Sequence, residues 1–212
     1  MRNATCPLMR RKHLEMFLQQ VPPIKGPKPN LEQYNTPAIL AADILFMAYQ
    51  AGEIEGKVIG DLGCGSGIFA IGAAILGAKA VRGYDIDESV VAQARENSKA
   101  LLPKNVEQPI FEPRDVSKIE ERFDVVFQNP PFGAQSPGAD VPFIEAAIRC
   151  SKIVYSIHNS NTEDFLNKKI TQLGATVTYR FKDRIAIPHT FEFHTKEKQD
   201  IEVIILKIAS KK

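Results

Sequence analysis

The chain has 212 residues, enough for one or two domains, with 44% hydrophobic and 25% charged residues. This composition can bury a core without staples and excludes a disordered or disulfide-stapled chain. Its net charge of +2 excludes a strongly basic or acidic protein, and with no run of about eighteen or more apolar residues no membrane-spanning helix is expected.

A short basic helix is predicted over Met9 to Val21, ended by the Pro22-Pro23 pair, with an extended stretch to Pro29. Although Arg10, Arg11 and Lys12 precede HLEMFLQQVPP, that segment is interrupted by polar residues and has no small-residue cleavage site, unlike a signal peptide. Thr36 before Pro37 reads as an N-cap with proline at the first helical position, opening an apolar helix from Ala38 to Gln50. Beyond Gly52 short strands and helices alternate: VIGDL, a helix from Ile68 to Leu76, AVRGYDI, then the helix ESVVAQARENSKAL. Strands follow near Pro109 to Pro113, Phe123 to Gln128 and Lys152 to His158, with helices near Pro142 to Cys150 and Asn161 to Leu173. Such alternation implies βαβ units and a mostly parallel sheet. The last two runs, TVTYRFKDRIAI and DIEVIILKIA, have no helix between them and should pair as an antiparallel hairpin. One domain spanning residues 1–212 is expected, without repeats.

Cys6, Cys64 and Cys150 are scattered, with no CxxC, so neither a disulfide framework nor a zinc site is suggested and a reducing compartment fits. Charge is uneven. Residues 1–30 hold six Lys/Arg against one acid and residues 161–212 hold ten against seven, whereas 31–160 hold eleven against seventeen. Basic flanks around an acidic centre suit a polyanion gripped at its phosphates, although solvated charge gives the same pattern. Candidate phosphate contacts are Arg10, Arg11, Lys12, Lys25, Lys28, Arg180, Lys182, Arg184, Lys196 and Lys198.

Two motifs carry chemistry. Asn129, Pro130, Pro131 and Phe132 form an NPPF turn directly after the apolar run Phe123 to Phe127. A rigid turn at a strand end can aim an amide oxygen and a backbone carbonyl at one planar amine while an aromatic ring stacks on its face, which suits methylation of a nitrogen. The second motif is DLGCGSG, Asp61 to Gly67, between the first strand and its helix, where Gly63, Gly65 and Gly67 allow a tight turn against a nucleotide-like ligand. Asp85 ends the next strand, placed to accept from both ribose hydroxyls. Asp115 ends the one after, where its carboxylate can meet an adenine amine and the Val116 N–H a ring nitrogen. A dinucleotide dehydrogenase is the rival owner, but its GxGxxG spacing is replaced here by GxGxG with Ile68 in sixth place.

With GxGxG, Asp85, Asp115 and NPPF in this order, the chain resembles the class I methyltransferases that use S-adenosylmethionine (SAM), which implies a Rossmann-like α/β fold with a seven-stranded sheet and helices on both faces. FLQQV, LEQYNT, DLGCGSG, IGAAILGA, DIDE, NPPFG, VYSIHNS, FEFH and DIEV occur in the order seen in the methyltransferase-like protein five family, over about residues 14–208. That resemblance implies N6-methylation of an unpaired or flipped adenosine in small-subunit ribosomal RNA, in the cytoplasm and without a metal. It implies that Gln33 and Thr36 contact the cofactor from an N-terminal covering segment (1–36). Gly63, Gly65, Ser66 and Ile68 are implied as turn contacts, Asp85 as ribose ligand, and Asp115 with Val116 as adenine readers. Asp61 is implied near the methionine amino group through water. It also implies a small zinc-binding activator that adds a strand to the sheet edge, for which Ala80 to Ile86 reads as the exposed edge. Methylation of another planar nitrogen, protein glutamine or DNA adenine, is the alternative, and a non-catalytic module a third reading. His158 and His194, without an evident carboxylate partner, are candidates to line the base pocket.

Overall fold

The runs VIGDL and FDVVFQ are buried along nearly their whole length, as strands covered by helices on both faces must be. In the computed structural model, which describes residues 10–133, 138–188 and 198–210, they are two of seven strands: β1 (Val58–Leu62), β2 (Ala80–Asp85), β3 (Ile110–Pro113), β4 (Phe123–Gln128), β5 (Ser151–Asn159), β6 (Ala175–Pro188) and β7 (Lys198–Ser210). The helices are α1 (Arg11–Leu18), α2 (Ala38–Gln50), α3 (Ile68–Ile75), α4 (Glu88–Leu101), α5 (Val141–Cys150) and α6 (Glu163–Gln172). One sheet holds all seven strands in the order β3-β2-β1-β4-β5-β7-β6. Pairing is parallel from β3 through β5, and β7 runs antiparallel to both β5 and β6. This is the fold expected from the alternation of strands and helices, including the C-terminal hairpin.

Two apolar layers enclose the sheet. α1, α2, α3 and part of α4 pack on one face around Leu45, Phe69, Phe127 and Tyr155, whose rings at Phe69, Phe127 and Tyr155 stack in series. α5 and α6 cover the other face around Ile144, Leu166, Val126 and Leu206. Strand order reverses between β2-β1 and β4, so a crevice opens beyond the C-terminal ends of β1 and β4, the usual ligand position in such sheets.

Three local expectations need correction. α1 is shorter than the predicted span: it ends at Leu18, and its turn tightens before Val21, which cannot easily stay helical ahead of Pro22. Pro37 rather than Thr36 occupies the cap of α2, with no side-chain cap, and Thr36 is used elsewhere. Finally, β2 is no edge. It lies between β1 and β3, and the four-residue β3 is the rim on that side of the sheet, with β6 at the opposite rim.

Candidate active site

The glycine turn leaves β1 with the Gly63 and Cys64 N–H groups both donating to the Tyr84 carbonyl of β2, which holds it tightly against the next strand. Gly63 has φ +69°, and a Cβ there would lie 2.9 Å from Phe143 Cε1, so both conformation and space require glycine. Gly67, also left-handed at φ +85°, is the N-cap of α3 and supplies no side-chain cap. The cap comes from Asp61 instead, whose Oδ2 accepts from the Ala70 N–H at 3.0 Å while the residue is 1% exposed. Burial, with Asp85 adding repulsion, pushes the Asp61 carboxyl up to about 7. A carboxyl group thus occupies the helix end where a dinucleotide's pyrophosphate would sit, which argues against the dehydrogenase reading.

Asp85 ties the turn to the strand ends. Its Oδ2 accepts from the Gly65 N–H and its Oδ1 from the Asp87 N–H, both at 3.1 Å, and burial raises its carboxyl above the ordinary range. Asp115, after β3, accepts from the Ser117 N–H and hydroxyl, bonds that hold its carboxyl below the usual range. Gly63, Gly65, Asp85, Asp115, Val116, Gln33, Asn129 and Pro131 line one cavity of about 310 Å³. Thr36, Ser66 and Ile68 line an adjoining pocket of about 30 Å³ that shares Gly63, Gly65 and Asn129. Asp61, Pro130 and Phe132 line neither. With Glu32, Asp85 and Asp115 on its wall and Arg114 engaged by Glu112 and Glu121, the cavity favours a cationic ligand.

The N-terminal segment forms one wall and holds the NPPF turn. The Tyr34 hydroxyl donates to the Pro130 carbonyl at 2.9 Å, its ring lies 4.7 Å from that of Phe132, and the Gly133 N–H donates to Glu32 Oε2 at 3.0 Å. Burial, with Glu32 and Asp140 nearby, raises the Tyr34 phenol well above its usual value, so it stays a donor. Glu32 adopts φ +48°, a strained conformation that tertiary contacts must enforce. Asn129 Nδ2 donates to Thr36 Oγ1 at 3.0 Å, while Asn129 Oδ1 is buried without a hydrogen-bond partner. The same segment is laced to α4 through Lys25 N–H to Gln93 Oε1, and Gln33 spends its amide on the Lys28 N–H and on Asp87 Oδ2.

Sequence reasoning missed Tyr34, although it lies inside LEQYNT, and it missed Glu32 and Phe143. Of the basic candidates, Arg11 pairs with Glu15 and Asp43, Lys28 with Asp87, Arg180 with Glu163 and Lys182 with Glu202. Arg10, Lys12 and Lys25 form no ion pair among the described residues. Lys196 and His194 lie outside the described residues, as does the side chain of Lys198. His158 does have a carboxylate partner, Asp140, and is fully buried away from the cavity wall.

Comparison with known proteins supplies the remaining context. Residues 40–130 match the family model for ribosomal protein L11 methyltransferase (PrmA), a span that holds the glycine turn and both strand-end acids. The Drosophila melanogaster rRNA N6-adenosine-methyltransferase Mettl5 is 36% identical over 92% of this chain and 94% of its own length. The crystal structure of a candidate RNA methyltransferase from Pyrococcus horikoshii superposes with a TM-score of 0.87 at 38% identity, covering 96% of this chain and 99% of that one. Magnesium protoporphyrin IX methyltransferase from Synechocystis, solved with bound SAM, shares the fold at a TM-score of 0.64 and 19% identity over 80% of this chain and 78% of that one.

Proposed function

Since the chain belongs to the METTL5 family of rRNA N6-adenosine methyltransferases, we propose that it transfers a methyl group from SAM to the N6 of an adenosine in ribosomal RNA, and that this adenosine is an unpaired or flipped nucleotide of the small subunit. The observation that carries the reading is Asn129 Oδ1, a buried acceptor without a partner, on the wall shared by Gly63 and Asp85. The residues present fit SAM: Asp85 keeps acceptor capacity on both oxygens for ribose hydroxyls, Asp115 and Val116 line the same cavity with a carboxylate and an N–H that suit an adenine edge, and the acidic wall suits a sulfonium. When bound, SAM supplies an electrophilic methyl group.

The chain's own residues prepare the nucleophile. An exocyclic adenine amine is weak because its lone pair is delocalised into the ring. Asn129 Oδ1 accepts one of its hydrogens and the Pro130 carbonyl accepts the other on the lone pair that Tyr34 leaves, which favours a more tetrahedral, localised nitrogen. Phe132 beside Tyr34 offers an aromatic surface for an unstacked base, with base stacking worth about 1–3 kcal/mol. The wall formed by residues 24–36 excludes water and aligns the reactants. No strong base is needed, since the nitrogen becomes acidic only after it gains the methyl group.

The same family membership supports a small zinc-binding activator pairing with the sheet rim. The rim beside β2 is β3, where Ile110 is 50% exposed and neighbouring Ile86 62% exposed. A ribosomal substrate supports a cytoplasmic location.

The test is methyl transfer from labelled SAM to separated small subunits, large subunits, naked rRNA and ribosomal proteins, with digestion to nucleosides and amino acids. Label in N6-methyladenosine from small-subunit RNA is expected. Label confined to protein would overturn the reading.

A further inference from the structure

A second polar cluster lies inside the apolar layer between the sheet and α5. Gln128, Ser156 and His158 are all 0% exposed, and Asp140, the N-cap residue of α5, is 7% exposed. Parallel register places Gln128 beside Ser156, and His158 follows two residues later on the same face of β5. Gln128 Nε2 donates to Ser156 Oγ at 2.9 Å, Ser156 Oγ lies 2.6 Å from His158 Nε2, and His158 Nδ1 lies 3.0 Å from Asp140 Oδ2. The His158 ring meets these contacts in its Nδ1–H tautomer. Its Nδ1–H donates to Asp140, the Ser156 hydroxyl donates to Nε2, and Ser156 Oγ accepts from Gln128.

These are the contacts of a serine–histidine–aspartate triad, but hydrolysis is excluded because Ser156 has no surface that an acyl group could reach. Stability alone does not account for the cluster either. Its surroundings are Val126, Val154, Ile204 and Leu206, and apolar residues would fill the same space without the desolvation cost of four polar side chains. Gln128 Oε1 even remains buried without a partner. What the cluster does connect is specific. Gln128 is joined by one peptide bond to Asn129, and Asp140 begins the turn of α5 that brings Pro142 and Phe143 to the cavity wall. Phe143 in turn abuts the glycine turn at Gly63.

We propose that the buried chain Asp140–His158–Ser156–Gln128 is a positioning device for methyl transfer, fixing the Gln128–Asn129 peptide against the first turn of α5. The proposal rests on the methyl-transfer reading of the cavity. None of its members touches substrate; they act through Asn129 and Phe143. A buried polar chain is suited to this because its bonds are satisfied in one geometry only, whereas apolar packing tolerates small slips.

The experiment compares wild type with Ser156→Ala, which breaks the middle of the chain, and Gln128→Met, which removes only its last link. Gln128→Met keeps side-chain length and deletes an acceptor that already lacks a partner, so it remains informative should Ser156→Ala fail to fold. With labelled SAM and rRNA, kcat of each variant is expected to fall roughly tenfold, the size of one lost hydrogen bond, while the SAM dissociation constant stays within about twofold. In wild type, ¹⁵N spectra of labelled histidine should show His158 with hydrogen on Nδ1 and a bare Nε2. Unchanged kcat in Gln128→Met, a parallel loss of SAM binding and kcat, or an Nε2–H tautomer would each overturn the proposal. If wild type labels no RNA, the methyl-transfer reading itself fails and takes the proposal with it; if wild type labels RNA and the variants match it, only the proposal fails.

Discussion

Replacing Asn129 with alanine separates catalysis from stability, because the two ends of its amide act in opposite directions. Nδ2 donates to Thr36 Oγ1 at 3.0 Å, and losing that neutral bond costs about 0.5–1.5 kcal/mol. Oδ1 is buried without a partner, and removing an unpaired buried acceptor returns about 1–3 kcal/mol. The terms nearly offset, so the unfolding free energy should change by less than about 1–2 kcal/mol. Catalysis has no such offset. Oδ1 finds its partner only when the amine is in place, and loss of one preorganised group of this kind costs about 10²–10³ in kcat, or roughly 2.7–4 kcal/mol. Urea denaturation, calorimetric SAM binding and steady-state methylation of rRNA measure the three quantities. Asn129→Ala should fold and bind SAM within about threefold of wild type while kcat falls at least about a hundredfold. A kcat within about threefold of wild type would refute the reasoning, as would destabilisation large enough to empty the folded state.

Tyr34→Phe keeps the ring contact with Phe132 and deletes the donor to the Pro130 carbonyl, so kcat should fall roughly 3- to 15-fold with little change in SAM affinity, read from the same assays. Asp61 titrates at about 7 in the fold against about 3.9 unfolded, so between those values the folded state holds the extra proton and stability falls as pH rises. Denaturation midpoints at pH 5 and 8 should show that decline in wild type and a smaller one in Asp61→Asn, which retains an oxygen for the Ala70 N–H, while Asp85 keeps its own raised carboxyl. Asp87 behaves in the opposite sense. Bonds from Lys28, Gln33 and Ser89 hold its carboxyl well below the usual range, so its contribution is present above pH ~4 and lost as pH falls further. Asp87→Ala removes the cap of α4 at a cost of about 1 kcal/mol and unties the covering segment, and trypsin should then cut faster after Lys25, as mass spectrometry would show.

Strands and helices were legible in the sequence wherever one physical cause set them. VIGDL and FDVVFQ are apolar because both faces are covered, and the segment from Ala38 to Gln50 is apolar because α2 packs on α1 and α3. The NPPF turn was legible because two prolines after a strand leave few backbone choices. Strand order was not, since hydrophobic period carries no neighbour information, and the rim was therefore placed on β2 instead of the short β3. Side-chain partners far apart in sequence were equally hidden. Thr36 read as a local cap because Thr-Pro usually is one, while its hydroxyl serves Asn129, 93 positions away. His158 looked unpartnered because Asp140 approaches from another element.

The central claim is that the SAM seat and the Asn129 acceptor open on one cavity. A crystal structure with an unreactive SAM analogue tests this most directly. The account predicts the analogue's ribose hydroxyls on Asp85 and the group replacing the methyl within about 7 Å of Asn129 Oδ1, the span an amine can bridge by one hydrogen bond and one near-attack contact. An analogue seated away from Asp85, or one whose reactive end faces away from Asn129 beyond that reach, would contradict it.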